Sequence, residues 1–368
     1  MKIHLVCAAR PNFMKIAPLY HALKKERWAT PVLVHTGQHY DVNMSDAFFR
    51  DLALPEPDIH LGVGSGTHAE QTGNVMTAYE KALIRDRPDL VVVAGDVNST
   101  MAATLAATKL GIKVGHLEAG LRSYDRTMPE EINRIVTDVL ADILWIPSPD
   151  AEENLIKEGI PQDRICFVGN IMIDSLEILK EPIQKRATCA AFGLTKNTFG
   201  VVTLHRPANV DDARILSQVT ATLIRISEQI PLVFPIHPRT RASLDRFGLL
   251  DAIQAADGVL SPEPLGYIDF MNLVSNARLV ITDSGGIQEE TSYLGIPCLT
   301  LRPNTERPIT TTMGSNQLCS LEDLEKKVLA ILAEKRPPRR RIKYWDGKTA
   351  GRIVTHLKRL KTAAVLPG

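Results

Sequence analysis

The stretch LVITDSGGIQEETSYLGIP, Leu279–Pro297, contains the pattern that decides the fold of this chain. Its first residues, Leu279–Thr282, are apolar or β-branched and predict a short buried strand. An aspartate, a serine and two glycines follow, and the segment 287–294 then predicts a helix that ends before Gly295. A strand, a glycine-containing turn and a helix in this order are typical of a parallel α/β sheet.

The start of this helix is suited to bind a phosphate. Backbone N–H groups are free at a helix N-terminus, the helix dipole favours an anion, and Gly285 and Gly286 let it approach the backbone. Glu289 and Glu290 lie one turn further on, where a carboxylate can accept two hydroxyls of an attached ribose. The alternative is an ordinary helix start, with Ser284 as its N-cap and the acids favoured by the dipole.

Strands and helices alternate along the whole chain, with amphipathic segments such as Met14–Lys25 and Ala69–Ile84 between apolar runs. The predicted strands are Ile3–Ala8, Val32–Thr36, Leu90–Ala94, Lys113–Leu117, Ile143–Ile146, Ile165–Val168, Gly200–Leu204, Leu232–Ile236, Val259–Leu260, Leu279–Thr282 and Cys298–Leu301. This alternation predicts two doubly wound α/β domains that face a central cleft, residues 1–168 and 169–348. A terminal helix within 349–368 is predicted to pack back on the N-terminal domain.

Composition and charge exclude several classes of protein. The chain has 368 residues, 44% of them hydrophobic and 23% charged, and its formal charge of +1 predicts no nucleic-acid partner. No apolar run approaches the roughly 20 residues of a membrane span, so we expect no membrane partner. The five cysteines are scattered without CxxC spacing and indicate reduced thiols, which together with the missing membrane segment predicts a cytoplasmic protein.

Familiar cofactor motifs are missing from the sequence. There is no GxxxxGK[ST] stretch and no GxGxxG after a strand, so neither a P-loop nor a nicotinamide cofactor is indicated. No HExxH motif or Cys/His cluster suggests zinc. We therefore expect no metal and no bound cofactor.

Charged and polar residues follow nearly every predicted strand. They are Arg10 and Lys15, Asp96, His116 and Glu118, Glu130 and Arg134, His205 and His237. Because ligands bind beyond the carboxyl ends of strands in such sheets, these residues predict a binding site. Each has a simpler alternative: Asp96 as a helix cap, Glu130 and Arg134 as an i,i+4 surface ion pair, and the two histidines as structural residues.

Several motifs together resemble the non-hydrolysing UDP-N-acetylglucosamine 2-epimerases across nearly the whole chain. They are ARPNFMKIAPL, HLEAGLRS, PEEINR, HRP, TDSGGIQEE and TERP, with Gly95-Asp96 and Gly169-Asn170 between them. The resemblance implies a glycosyltransferase-B-like pair of Rossmann-like domains, a UDP-sugar substrate, a homodimer, and no metal or nicotinamide. AARPNFMK, AGDVNST and HRPA stand where the family commonly has GTRPEAIK, HGDTTTT and HRRE, which indicates a divergent branch.

The resemblance also assigns residues to roles, motif by motif. The catalytic positions are matched by Asp96, Glu118, Glu130 and His205, whereas Glu131 does not match. The positions that bind substrate and UDP are matched by Arg10, Lys15, Arg134, His205, Ser284, Gly285, Gly286 and Glu290. The implied activity is the reversible C2 epimerisation of UDP-N-acetylglucosamine to UDP-N-acetylmannosamine.

The chemistry of such a reaction explains this set of residues. The C2 proton of a 2-acetamido sugar has no adjacent carbonyl to acidify it, so UDP must leave C1 before a base removes the proton. The reaction therefore needs carboxylates near C1 and C2 and residues that bind UDP tightly. The alternatives are a glycosyltransferase of the same fold, a hydrolysing relative, an inactive nucleotide-sugar-binding regulator, and an epimerase for a related UDP-2-acetamido sugar.

Overall fold

The chain forms two compact units. The computed structural model describes residues 1–8, 10–37, 50–335 and 338–365. One unit comprises Met1–Leu179 and the segment that starts at Lys343, and the other comprises Lys180–Ile342. Each unit is built around its own parallel sheet.

The first unit contains a seven-stranded sheet in the order β3-β2-β1-β4-β5-β6-β7, and all neighbouring strands are parallel. Its strands are β1 (Lys2–Cys7), β2 (Thr30–His35), β3 (Ile59–His60), β4 (Leu90–Ala94), β5 (Lys113–Leu117), β6 (Ile143–Ile146) and β7 (Ile165–Phe167). In the central register, Leu5 of β1 lies between Leu33 of β2 and Val92 of β4. The strand order reverses between β1 and β4, which is where such sheets bind ligands.

The second unit repeats this arrangement with a six-stranded parallel sheet in the order β10-β9-β8-β11-β12-β13. Its strands are β8 (Gly200–Thr203), β9 (Leu232–Val233), β10 (Val259–Leu260), β11 (Leu279–Thr282), β12 (Cys298–Thr300) and β13 (Asn316–Leu318). Its strand order reverses between β8 and β11. Two Rossmann-like doubly wound domains are therefore confirmed.

Helices connect the strands in both units. In the first unit the α-helices are Arg10–Lys24, His68–Arg85, Asn98–Lys109, Pro129–Leu140, Pro149–Lys157, Ile171–Ile178 and Thr349–Val365. In the second they are Lys180–Lys185, Thr188–Ala191, Pro207–Val210, Ala213–Ser227, Pro238–Arg246, Leu250–Gln254, Tyr267–Asn276, Gly285–Leu294, Ile309–Thr312 and Leu321–Ala333. Within the described ranges, no helix has the length and apolar character needed to cross a lipid bilayer.

Most strands lie where the sequence predicts them, and two edge strands were not predicted. All five residues of β4 and all four of β11 are buried, and both strands have the predicted bounds. The edge strand β10 also has its predicted bounds, Val259–Leu260. The two strands that were not predicted are β3 and β13, which lie at sheet edges and are two and three residues long. Runs this short carry little periodic signal.

The boundaries between the units differ from the predicted ones at residues 168/169 and 348/349. Helix Ile171–Ile178 belongs to the first unit, because the Ser175 hydroxyl donates to the Met14 carbonyl. On the same helix, the Asp174 carboxylate accepts the N–H groups of Thr349 and Ala350, at 3.0 and 2.8 Å. Helix Thr349–Val365 therefore also belongs to the first unit, and the chain enters the second unit after Leu179 and leaves it after Ile342.

One close approach in the first sheet leads to a stability prediction. A Cβ added to Gly115 of β5 would lie 2.5 Å from Cζ3 of Trp145, a fully buried side chain of β6. We expect Gly115→Ala to lower the free energy of unfolding by about 1–3 kcal/mol, because the core there has no room for a methyl group.

Gly73→Ala is a matched control, since a Cβ there meets nothing within 4 Å on an exposed part of helix His68–Arg85. Gly73→Ala should raise the free energy of unfolding by about 0.5–1 kcal/mol. Urea-unfolding midpoints that do not separate the two variants would contradict this packing.

Candidate active site

At the carboxyl edge of the first sheet, a buried ion pair joins Lys15 of the first helix to Glu118, which follows β5. Glu118 has a φ of 73°, an unfavourable backbone conformation for a residue with a side chain. Gly95, which follows β4, lies so close that a Cβ would be 2.6 Å from the Lys15 ammonium nitrogen. Its own φ of 68° also favours glycine. The ends of β1, β4 and β5 thus converge on one cation and one carboxylate.

A second ion pair holds Asp96 beside this edge. The Arg134 guanidinium donates to the Asp96 carboxylate through Nε and Nη2, at 3.1 and 2.9 Å. Asn133 of the same helix donates to the Asp96 carbonyl at 2.9 Å. The alternative that Asp96 caps the next helix is wrong, because Val97 is the N-cap and makes no side-chain bond.

The adjacent glutamates of helix Pro129–Leu140 occupy different environments. Glu131 is buried, pairs with Arg134, and accepts the N–H groups of Ser123 and Tyr124, the latter at 2.8 Å. Glu130 is half-buried. Since Arg134 is only 2% exposed, the alternative of a surface ion pair with Glu130 is wrong. Glu131 is thus held in a buried network, whereas Glu130 lies half-buried at the start of the helix.

In the second unit, the buried carboxylate of Asp283 organises the turn after β8. It accepts the N–H groups of His205 and Arg206 and the side-chain amide of Asn209. Its Oδ1 also lies 3.2 Å from Nδ1 of His205, whose ring centroid is 5.3 Å from that of His237. Burial raises the pKa of Asp283, but the hydrogen bonds from His205 and Asn209 outweigh it, so the pKa lies below its ordinary value.

Helix Gly285–Leu294 begins with an accessible N-terminus. Ser284 is the N-cap and makes no side-chain capping bond, so the simple capping alternative does not apply. A Cβ on Gly285 would lie 2.6 Å from the Arg307 guanidinium and 2.7 Å from the Glu306 carboxylate, whereas a Cβ on Gly286 would meet nothing within 4 Å. Gly286 thus leaves open space at the helix N-terminus where an anion would bind.

The two glutamates of this helix also separate by their contacts. Glu289 is buried against Arg307, with Oε1 3.0 Å from Nε. Glu290 accepts a 2.6 Å hydrogen bond from the hydroxyl of Tyr267. The first is neutralised by a cation, and the second is oriented by a neutral donor.

The structure thus gathers the predicted residues at the two sheet edges. In the first unit these are Lys15, Asp96, Glu118, Glu130 and Arg134, and in the second His205, Ser284, Gly285, Gly286 and Glu290. The side chain of Arg10 lies outside the described part of the structure, and its role stays a prediction. The supporting side chains of Tyr267 and Asp138 were not predicted, whereas Arg307 falls within the TERP motif. Asp138 has a sequence signal: with Glu131 and Arg134 it falls at helical spacing on one face of Pro129–Leu140.

Comparison with known proteins identifies the family. A family model described as UDP-N-acetylglucosamine 2-epimerase matches residues 21–358 of the chain. The protein belongs to this epimerase family. A UDP-N-acetylglucosamine 2-epimerase of Methanocaldococcus jannaschii is 42% identical over 363 residues, which cover 96% of this chain and 98% of the relative. A UDP-2,3-diacetamido-2,3-dideoxy-D-glucuronate 2-epimerase of Pseudomonas aeruginosa is 40% identical over 321 residues, covering 86% of this chain and 88% of the relative.

A solved structure from the same family has a similar fold. The crystal structure of the M. jannaschii UDP-GlcNAc 2-epimerase, in complex with UDP-GlcNAc and UDP, matches with a TM-score of 0.90 and 41% identity. The match covers 98% of this chain and 100% of the solved chain. The fold is therefore that of the epimerase family along its whole length.

The lowered pKa of Asp283 leads to a prediction on acid stability in this epimerase-family protein. Because the folded pKa lies below the unfolded value, the stabilisation is present above about pH 4 and is lost as pH falls through the folded pKa. Asp283→Asn should lower the free energy of unfolding by about 1–3 kcal/mol at pH 7, and this difference should shrink below pH 4.

Asp211→Asn is the matched control, because its pKa is also lowered but through an exposed ion pair with Arg239. It should change stability by less than about 0.5 kcal/mol. Urea unfolding of both variants at pH 7 and pH 3 measures the two effects. A pH-independent difference between Asp283→Asn and the unmodified protein would contradict the assignment.

Proposed function

We propose that this protein catalyses the reversible C2 epimerisation of UDP-N-acetylglucosamine to UDP-N-acetylmannosamine. The observation that carries the proposal is the arrangement of Asp96 and Glu118 at the strand-order reversal of the first sheet, each paired with a cation. This arrangement occurs in a chain that matches a UDP-N-acetylglucosamine 2-epimerase over almost its full length.

The proposed chemistry is elimination and re-addition of UDP. Departure of UDP from C1 generates an oxocarbenium-like state, which nearby carboxylates stabilise as they do in glycosidases. A base then takes the C2 proton, leaving 2-acetamidoglucal and UDP. Addition of UDP and of a proton from the opposite face at C2 gives the epimer.

The acids of the first unit supply the sugar chemistry in this proposal. Asp96 is held by Arg134 and Glu118 by Lys15, so both carboxylates are fixed beside a positive charge. Glu130 is half-buried at the start of its helix and completes the set of proton donors and acceptors.

In this proposal, residues of the second unit bind UDP. The backbone N–H groups at Ser284–Gly286 would bind the diphosphate, and Glu290, oriented by Tyr267, would accept the ribose hydroxyls. His205, fixed by Asp283, would assist at the diphosphate or in proton transfer. We also assign Arg10 and Lys15 to phosphate or sugar.

A second candidate is an epimerase for a related UDP-2-acetamido sugar. The observation that favours it is the P. aeruginosa relative, whose name gives UDP-2,3-diacetamido-2,3-dideoxy-D-glucuronate as its substrate at 40% identity. Elimination chemistry at C1 and C2 would be the same for both sugars. Assembly as a homodimer, a cytoplasmic location and a role in cell-surface polysaccharide biosynthesis remain predictions.

Proton NMR in D2O with UDP-N-acetylglucosamine as the only addition tests the function. We expect UDP-linked ManNAc anomeric signals to appear, with deuterium at C2 of both product and recovered substrate. UDP and 2-acetamidoglucal should accumulate on prolonged incubation, because cleavage of the C1–O bond generates both. Free sugar would instead indicate a hydrolase, conversion of only the diacetamido-glucuronate would favour the second candidate, and epimerised product that retains its C2 hydrogen would overturn the elimination mechanism.

The acids can be separated from UDP binding by mutation. Glu118→Gln and Glu130→Gln should slow C2 exchange by about 10²–10⁴-fold, because each removes a group that transfers a proton or stabilises charge. Calorimetric affinity for UDP should stay close to that of the unmodified protein, since these residues act on the sugar. Unimpaired exchange in both variants would remove them from the mechanism.

Glu290→Ala, unlike Glu118→Gln and Glu130→Gln, should weaken the binding of UDP measured by calorimetry. Losing charge-assisted hydrogen bonds to the ribose should weaken UDP binding about ten- to a hundredfold. Glu325→Ala is the control in the same unit, because Glu325 forms an exposed ion pair with Arg225. Equal UDP affinities for the two folded variants would exclude Glu290 from the nucleotide site.

A further inference from the structure

A fully buried pair, His116 and Asp138, lies directly behind the acids of the first unit. His116 is in β5 and Asp138 is on helix Pro129–Leu140, and neither side chain is exposed. Nδ1 of His116 lies 2.6 Å from Oδ1 of Asp138. None of the roles proposed above uses either residue.

The pair contacts both turns that carry the proposed acids. Nε2 of His116 lies 2.8 Å from the carbonyl oxygen of Gly95, the residue before Asp96. Oδ2 of Asp138 accepts the N–H of Gly120, two residues after Glu118, at 3.1 Å. One histidine–aspartate unit is thereby bonded to the Gly95–Asp96 turn and to the turn of Glu118.

These turns require external support. Gly95, Glu118 and Gly120 have φ values of 68°, 73° and 79°, all in the left-handed region. For Glu118 this conformation is unfavourable, and such backbone persists only where its surroundings fix it. The N–H of Glu118 donates to the Trp145 carbonyl at 3.1 Å, and the bond from Gly120 to Asp138 fixes the other side of the turn.

The Asp138 carboxylate is also held by a cation. Oδ2 of Asp138 pairs with Arg122, 2.7 Å away. Burial raises the pKa of Asp138, but His116 and Arg122 together lower it below its ordinary value, so the carboxylate is ionised. One buried carboxylate thus bonds to His116, to Arg122 and to the N–H of Gly120.

Arg122 extends this buried network. It also donates to both oxygens of Glu158, at 2.8 and 2.7 Å. One guanidinium thus joins two carboxylates, Asp138 and Glu158. The nearby Lys15–Glu118 pair is a separate ion pair.

We propose that His116, bonded to Asp138 on one side and to the Gly95 carbonyl on the other, is a positioning residue that fixes Asp96 and Glu118 relative to each other for C2 chemistry. This inference rests on the proposed function. The role of His116 is to hold the two turns at a set spacing, and it does not contact the substrate.

Two substitutions of His116 separate its two bonds. In His116→Gln the amide nitrogen reaches the place of Nε2 and keeps the bond to Gly95, while in His116→Asn it replaces Nδ1 and keeps only the bond to Asp138. We expect kcat to fall about 10–100-fold in His116→Asn, by less in His116→Gln, and KM to stay within about threefold in both. Asp142→Asn is the control, because Asp142 accepts the N–H of Val114 on the same strand, away from the acids.

Asp142→Asn should leave kcat unchanged. If the pair were merely structural, melting temperature would fall in the His116 variants while kcat of the folded protein matched the control, and that result would overturn the proposal. Activity of the unmodified protein on UDP-N-acetylglucosamine tests the proposed function separately.

Discussion

Buried carboxylates that accept backbone N–H groups hold the turns of both units in place. Asp283 does so for His205 and Arg206, and Glu131 for Ser123 and Tyr124. A buried charge is unfavourable unless hydrogen bonds and a cation compensate it, so each of these carboxylates constrains its surroundings strongly. In the proposed function His205 acts from the first of these turns, so its position depends on Asp283, an acid with no proposed part in the chemistry.

The sequence predicted the sheet interiors because their signal is local. Strands such as β4 and β11 are uninterrupted apolar runs, and such runs must be buried on both faces of a parallel sheet. The two edge strands that were not predicted, β3 and β13, and the unit boundaries depend on contacts between distant parts of the chain. Helix Ile171–Ile178 joins the first unit through Met14 and Thr349, and no local pattern near residue 171 indicates either contact.

The candidate site shows a similar division between residue type and residue environment. Acids after strands are visible in the sequence, but their partners are not, since Tyr267 precedes Glu290 by a whole strand and turn. Helix Pro129–Leu140 shows most clearly where prediction from the sequence fails. Its apolar residues Ile132 and Val139 are 48% and 52% exposed, while its charged residues Glu131 and Asp138 are buried. Amphipathic pattern alone would place the helix with its opposite face inward.

The route of the chain has a consequence for synthesis on the ribosome. The second unit is inserted into the first, which receives its last helix only after residue 343. The Asp174 carboxylate finds its N–H partners at Thr349 and Ala350. Since chains emerge from the N-terminus and domains fold as units, the second unit is complete in sequence while the first still lacks a helix. The nascent first unit therefore lacks the N–H partners of Asp174 until almost the whole chain has been translated.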